Sequence, residues 1–557
     1  MSVRWIARTA QSGVLTVLLL SIVAIPLLHT ILFKMDAWMD SDNASEVLLA
    51  KEMLHARSVI PSSWYGSSEV RTLHTVLGVA PILAITGNML LSRSIANIGV
   101  ATLLGWIFFL YLRSLGVSRP ISAMTVALSL TPLSAHTLDM LFMGSFYTPY
   151  LIAIFVYLLF MGRADSSGKR RFVEPSLLAF AALLTGLSGT RYVAMLFLPV
   201  LLAELFIAAK PHDRLALAFV KMLFGNKRVA TALCFLAACI VGMATNRVLV
   251  ARGAIHYSDY AGGALADDVG FPNRVREVVV TLLTYIGGLQ RVDMVSAAGI
   301  AGLSKIAALF WALSLAFRRS RRWADLPLRQ KEFIAFFWIS SFVNLFLLLF
   351  STVVIAPRYH LISVFLLMPF IAMEIMEAGV GTTKYWLLAT LVVTSILLGQ
   401  YTVTYRATRQ MSGHVAEKRI IEYLEKNDLR FGYATFWRAA LLEILANGEI
   451  EIANIDATPA KDAALWLTVD RYYDRSCHPG KTFLLLTKDE ARKAQPDLLE
   501  GSLRLVEMDN YVVFAWERNP FHFLNVDGCG GKTPALQGTK PNRGGIPGRH
   551  GGQWSSG

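Results

Sequence analysis

Apolar stretches roughly as long as a bilayer is thick recur from Gly13 to Tyr401, and no other feature constrains this chain so strongly. Lipid offers backbone groups no partners, so each stretch is expected to close its own hydrogen bonds as an α-helix. We read crossings at 13–33, 95–112, 121–133, 150–161, 175–187, 193–209, 229–250, 298–317, 333–355, 361–376 and 385–401, about eleven in all. Two further stretches, 73–91 with Gly78, Pro81 and Gly87 and 278–289, are expected to lie at the membrane surface, and about thirteen spans result if both cross.

The chain is 54% hydrophobic and only 17% charged, yet its net charge is +14. In a soluble protein that excess would suggest nucleic acid. Here Lys and Arg gather in short loops such as RADSSGKRR and RRSRRWADLPLRQK, as the positive-inside rule requires of cytoplasmic loops, so anionic membrane lipids are the expected partners and nucleic acid is not. MSVRWIAR then marks a cytoplasmic N-terminus before an uncleaved first span, and the loop at 34–72 faces outward. An odd number of crossings sends everything after 405 outside as well.

Domain organisation follows from composition. Residues 1–405 form the membrane domain. In 406–523, RIIEYLEKNDLRFGYATFWRAALLEIL reads as helix, strand, helix, and IEIANIDA, ALWLTV, KTFLLLT and LRLVEMDNYVVFAWER read as strands, which makes a small extracytoplasmic α/β domain. The Gly- and Pro-rich tail 524–557 is expected to be disordered. The four cysteines have no metal-site spacing, and Cys477 with Cys529 is the pair that a disulfide could join.

Chemistry concentrates beside the first span. The segment KMDAWMDSDNASEVLLAKE places Asp36, Asp40, Asp42 and Glu46 next to the membrane, and WYGSSEVR adds Trp64, Tyr65, Glu69 and Arg71. A helix starting at Asp42 would put Glu46 one turn away on the same face, with the carboxylates turned to water. A solvated loop whose Asp and Asn cap a short helix is the plain alternative. Asn43-Ala-Ser45 is a glycosylation sequon inside the same motif. Arg191, in GTRYVAMLFLPV, and Arg358, in APRYHLISVFLLMPF, stand at expected outer span ends, where positive charge is normally depleted. Each calls for an anion there, a phosphate or a loop carboxylate. The outer loop 251–277, with His256, Tyr257, Asp259, Tyr260, Asp267 and Asp268, either completes a site or is a hydrogen-bonded surface, and His136, Asp139 and Tyr147 read the same way.

These features together resemble the GT-C class of glycosyltransferases, which includes oligosaccharyltransferase catalytic subunits, protein O-mannosyltransferases and the aminoarabinose transferases of lipid A. The resemblance rests on Asp40 and Asp42, WYGSSEVR and Arg358 in PRYH, over an architecture spanning 1–405. DSDNASEVLLAKE, WYGSSEVR and GYATFW also look like a group of largely uncharacterised bacterial membrane proteins. The resemblance implies a multi-pass enzyme of a bacterial inner membrane that moves a sugar from a polyprenyl-phosphate donor to an envelope glycan, lipid or protein. It implies Asp40 or Asp42 as catalytic base and Arg358 with Arg191 as ligands of the donor phosphate. Asp36, Glu46, Trp64, Tyr65, Glu69, Arg71 and Tyr257 become candidate substrate contacts. A divalent metal, Mg or Mn, is open as cofactor, with Asp40, Asp42 and Glu46 as its ligands. The pair found as DE in aminoarabinose and mannosyl enzymes is DSD here, and the WWDYG-type acceptor motif is missing, which argues against protein N-glycosylation. A transporter or lipid flippase is the alternative, but it would favour midplane charges and an internal repeat. An envelope-assembly scaffold would leave the paired acids and arginines unexplained.

Overall fold

The computed structural model describes residues 20–67, 70–162, 170–209, 226–257, 270–289, 295–378, scattered positions from 390 to 403, 413–456, 462–494 and 496–524. The last expected crossing falls mostly outside these residues, as do Glu69, Asp259, Tyr260, Asp267, Asp268, Cys529 and the tail. Helix α1 (Leu20–Phe33) is followed by a single turn, α2 (Met35–Trp38), and by α3 (Ser41–Ala56). Strand β1 (Trp64–Gly66) and helix α4 (Val76–Thr86) lead to α5 (Met89–Ser114).

The expected surface helix at 73–91 ends at Thr86, where Gly87 turns into the left-handed region (φ 61). Asn88 then caps a new helix by accepting from the Leu91 amide at 2.8 Å, so the last residues of the expected helix begin α5 instead. At 26 residues, α5 is about 39 Å long, enough to cross.

Helix α6 (Arg119–Ser129) precedes a bent pair. There α7 (Ala135–Leu138) runs into a π-turn at Asp139–Met143, and α8 (Thr148–Met161) departs at 71°. Then come α9 (Arg170–Leu187), α10 (Leu198–Ala208), α11 (Lys227–Ala251), β2 (His256–Tyr257), α12 (Phe271–Tyr285), α13 (Ala297–Arg321) and α14 (Leu328–Phe350). A 3₁₀ turn at Pro357–His360 opens the last described crossing, α15 (Leu361–Phe365) and α16 (Met368–Ala378). Five described helices or helix runs are long and apolar enough to span a bilayer, and the bent pair is a sixth candidate, so this is a polytopic membrane protein. Helices α9 and α11 touch backbone to backbone: a Cβ on Gly186 would sit 2.1 Å from the Cys239 carbonyl, and one on Gly242 2.0 Å from that of Leu183. At one end of the bundle the buried Arg228 pairs with Glu204 at 3.0 Å and Glu332 at 2.5 Å, which ties α10, α11 and α14.

The helix, strand, helix reading of the C-terminal region appears as α17 (Val415–Lys426), β3 (Phe431–Ala434) and α18 (Phe436–Leu445). The strands are β4 (Glu451–Asp456), β5 (Asp462–Ala463), β6 (Thr468–Val469), β7 (Thr482–Thr487), β8 (Leu503–Met508) and β9 (Tyr511–Trp516), with a short α19 (Lys488–Lys493) after β7. Their main sheet has the order β5-β4-β3-β7-β9-β8, parallel through β4, β3 and β7 and antiparallel beyond. Ile420, Leu424 and Leu442 of the helices bury one face with Ile452, Phe483 and Val513, while Tyr433, Leu484 and Phe514 pack into a second core. A parallel centre with both faces covered explains the near-continuous apolar strands. A second, three-stranded sheet, β2-β1-β6, laces WYG between the loop after α11 and the C-terminal domain.

Candidate active site

Asp40 is the N-cap of α3, with its backbone extended and its side chain accepting from the Asn43 amide at 2.8 Å. Asp42 stands in the first turn. Carboxylates are favoured there by the orphan amides and the dipole of the helix. Both aspartates are half-buried. Burial pushes Asp40 up to about 6 against the pull of the Asn43 hydrogen bond, and the charge of Asp42 adds to the rise.

Glu46 lies one turn further, as expected, but it does not face water. Its side chain is fully buried because α3 is packed between α4 and α18, with α5 supplying a cation from below. Arg71 reaches Oε1 at 2.7 Å, Arg93 of α5 donates to Oε2, and His74 Nδ1 lies 3.3 Å from Oε1. Burial alone would raise this carboxyl; the Arg93 and Arg71 guanidiniums reverse the effect and hold it below the ordinary range. Burial brings His74 down to about 4, so the guanidiniums carry the pairing. Glu46 therefore builds a floor under the aspartates rather than joining them.

Asp139 completes the upper layer. The buried Asn43 donates its side-chain amide to Asp139 Oδ1 at 3.5 Å while its backbone amide serves Asp40, so one residue ties the two carboxylates. Asp139 is half-buried and within electrostatic reach of Asp40 and Asp42. Its π-turn is held at the far end from three sides. Asn97 donates to the Met143 carbonyl at 2.6 Å, Arg93, one turn earlier on α5, donates to the Gly144 carbonyl, and Thr75 donates to that of Ser145 at 3.4 Å. Such π-turns leave carbonyls without helical partners and occur disproportionately at functional sites. Gly144 leaves no room for a side chain: a Cβ would lie 2.6 Å from Asn43 Oδ1 and 2.7 Å from the Phe146 ring. Gly144→Ala is expected to cost about 1–3 kcal/mol by overpacking, seen as a lowered thermal midpoint of purified protein. In the control Gly99→Ala, a Cβ that meets nothing within 4 Å in the α5 interior should be neutral or stabilising.

The two arginines expected at span ends come together. Arg358, in the 3₁₀ turn, lies within electrostatic reach of Arg191 and Tyr147 and sits 5.5 Å from the Tyr359 ring centre. Tyr150 stacks on Tyr192 at 4.3 Å and approaches Tyr147 at 5.8 Å. The segment 139–150 thus carries Asp139 at one end and the tyrosines beside the arginines at the other. Two bonds fix the arginine turn: His360 with Thr281 of α12 at 2.9 Å, and Asn344 donating to the Tyr359 carbonyl at 3.0 Å.

Other candidates sit elsewhere. Asp36 pairs with Lys418 of the C-terminal domain at 2.6 Å. Trp64 is 1% exposed, Tyr65 stacks on His256 at 4.6 Å, and the Tyr257 ring lies over Gly66, its hydroxyl pushed up to about 12 by burial. Arg71, besides binding Glu46, stands 5.6 Å from the Phe146 ring centre. Asn43 is 1% exposed, which closes the sequon to modification. The metal set Asp40, Asp42 and Glu46 does not fit: both oxygens of Glu46 are occupied by arginines, and among the described residues no three His, Cys, Asp or Glu are placed to hold an ion. Arg93, Asn97, His74 and Gly144 were not singled out from sequence. The signal was there in SRSIANIG, where an Arg and an Asn fall one turn apart inside an apolar stretch.

No family model matches the chain, and no curated protein matches it in sequence. Its fold, however, is similar to that of ArnT from Cupriavidus metallidurans in the apo state, with 11% identity and a TM-score of 0.55 over 91% of this chain and 98% of that one. The same protein bound to undecaprenyl phosphate aligns over 90% of this chain and 97% of that one, at 10% identity and a TM-score of 0.50. A likeness over nearly the whole length of both chains, bundle and sheet domain together, makes this a multi-pass membrane protein with the fold of ArnT.

Proposed function

We propose that the chain is a membrane glycosyltransferase that takes its sugar from a polyprenyl-phosphate donor, with Asp40 as the base. The observation that carries this reading is the layer of half-open carboxylates, Asp40, Asp42 and Asp139, over a buried Glu46–Arg93–Arg71 floor, in a fold shared with a protein that binds undecaprenyl phosphate. A base with its pKa near 6 is ionised at neutral pH and remains a competent proton acceptor. In the proposed step the acceptor hydroxyl gives its proton to Asp40 while its oxygen bonds to the anomeric carbon. The bond from that carbon to the phosphate oxygen breaks, and the polyprenyl phosphate leaves with the electron pair. Arg358 and Arg191 then offset the added charge on the phosphate. A single displacement inverts the anomeric centre.

The site would open on the extracytoplasmic side of a bacterial inner membrane, with an envelope glycan, lipid or protein as acceptor. The transporter alternative gains no support from the fold. The test is transfer of label from a panel of radiolabelled polyprenyl-phosphate sugars in membranes with matched expression. Arg358→Ala is expected to lower kcat/KM about 100-fold, mostly as a raised donor KM, and Arg191→Ala to do so more weakly. A wild type that consumes none of the donors, or arginine variants equal to wild type, would overturn the reading.

A further inference from the structure

We propose that His414, a residue of the C-terminal domain, is a positioning residue for the turn that carries Asp40, which it holds through the carbonyl of Met39. The proposal rests on the reading of Asp40 as base. Met39 is the extended residue between α2 and the N-cap of α3, so its carbonyl directly precedes Asp40. His414 Nε2 lies 3.0 Å from that oxygen. On its other side Nδ1 lies 3.7 Å from Glu417 Oε2, and Glu417 accepts at Oε1 from the Tyr511 hydroxyl at 2.7 Å. A carbonyl only accepts, so the contact with Met39 is made by the ring's Nε2–H, and the Nδ1 edge is turned to the Glu417 carboxylate. The His414 hydrogen bond, with the Tyr511 bond adding, keeps Glu417 down at about 2.

The aim of the ring is set by backbone as well. His414 has φ 56, a left-handed conformation uncommon for a residue with a side chain, and its carbonyl starts α17 by accepting from Lys418 at 2.9 Å. Lys418 pairs with Asp36 at 2.6 Å, so the same helical turn holds two points just before Asp40. The far end of α3 is held by the same domain. Arg471 binds Glu52, and Lys51 reaches Glu443 at 3.0 Å and Glu451 at 3.3 Å. The helix bearing the aspartates is gripped at both ends by a domain that contributes none of the three carboxylates. Catalytic geometry tolerates little misplacement, an ångström costing as much as about 100-fold, which gives such a grip a kinetic consequence.

The test uses the full-length purified protein. Hydrogen–deuterium exchange of peptides covering 35–44 is measured beside transfer kinetics in wild type, His414→Phe, His414→Gln and Glu417→Gln. In His414→Phe, exchange at 35–44 is expected to rise about tenfold while α18 and β7 stay protected, and kcat to fall roughly 10- to 100-fold at unchanged donor KM. His414→Gln keeps one donor for the Met39 carbonyl and should restore most of both. Glu417→Gln, which leaves the ring in place without its carboxylate, should fall between. Unchanged exchange at 35–44 in His414→Phe, an equal rise in β7, or a loosened turn with wild-type kcat would overturn the proposal. If wild type consumes no donor while exchange at 35–44 still rises, the transferase reading fails and the grip stands.

Discussion

Asp40→Asn is expected to reduce sugar transfer at least about 1,000-fold while leaving the protein folded and no less stable. The amide cannot take the acceptor proton, but its oxygen can still accept from the Asn43 amide, so the helix cap survives. The folded-state pKa of Asp40 is raised, from 3.8 to about 6. A carboxyl of that kind binds its proton more tightly in the folded chain, so its ionised form costs stability above about 6, and the cost fades as pH falls toward 3.8. Removing the charge should therefore stabilise the protein at pH 7.5, by up to about 3 kcal/mol for a shift of this size. The same raised pKa predicts the acid limb of the wild-type rate: transfer falls as pH drops through about 6, because only the ionised base accepts a proton. Asp42→Asn removes a charge that raises Asp40 and should move this limb to lower pH, with a smaller loss of rate. Thermal scans and pH–rate profiles of the variants check each point. An Asp40→Asn protein that retained transfer would shift the base to Asp42 or Asp139.

The contrast between the readable and the unreadable parts of this site is physical. Hydropathy fixes a helix by its own composition, so α11 and α13 are found within a few residues of where the apolar runs lie, α5 and α14 start some five or six residues before theirs, and the apolar strands of the C-terminal domain, rich in β-branched and aromatic residues, are equally plain. An Asp at the start of this helix is readable too, since Asp followed by a helical run is a local signal, although the helix begins at Ser41 with Asp40 as its cap and not at Asp42 as expected. What the sequence hides is pairing across distance. Glu46 meets Arg93, 47 residues away, and Asn43 meets Asp139 at a separation of 96. Nothing local distinguishes a glutamate that will face water from one that will be covered by a helix, a second domain and two arginines. The same holds for Asp139, whose π-turn depends on carbonyl partners from α5 and from Thr75 before α4. Local signals therefore located the acidic motif, and tertiary contacts assigned its members different work.

The largest loss of stability is expected from Arg93→Met, which leaves Glu46 in the interior with half its compensation gone. Arg93 is 0% exposed, its guanidinium serves both Glu46 and the Gly144 carbonyl, and neither partner can turn to water. Breaking a buried pair from one side typically costs about 3–5 kcal/mol, because the surviving charge keeps its desolvation penalty. Arg71 still holds Oε1, which sets the expectation toward the lower end. The double variant Arg93→Met/Glu46→Met removes both buried charges, and it should recover most of the lost stability, with a coupling of roughly 1–3 kcal/mol in the cycle. Arg71, with 14% of its side chain exposed, can then turn toward solvent. Transfer should not recover with stability. The Gly144 carbonyl has lost its donor in the double variant as well, so the π-turn that presents Asp139 keeps Asn97 and Thr75 but lacks one of its three anchors while the fold is intact. Thermal midpoints and transfer rates of wild type, both singles and the double separate the two roles. Parallel recovery of both would mean that the floor matters for folding alone, whereas recovery of stability without rate assigns Arg93 the second task of holding the carboxylate layer in register.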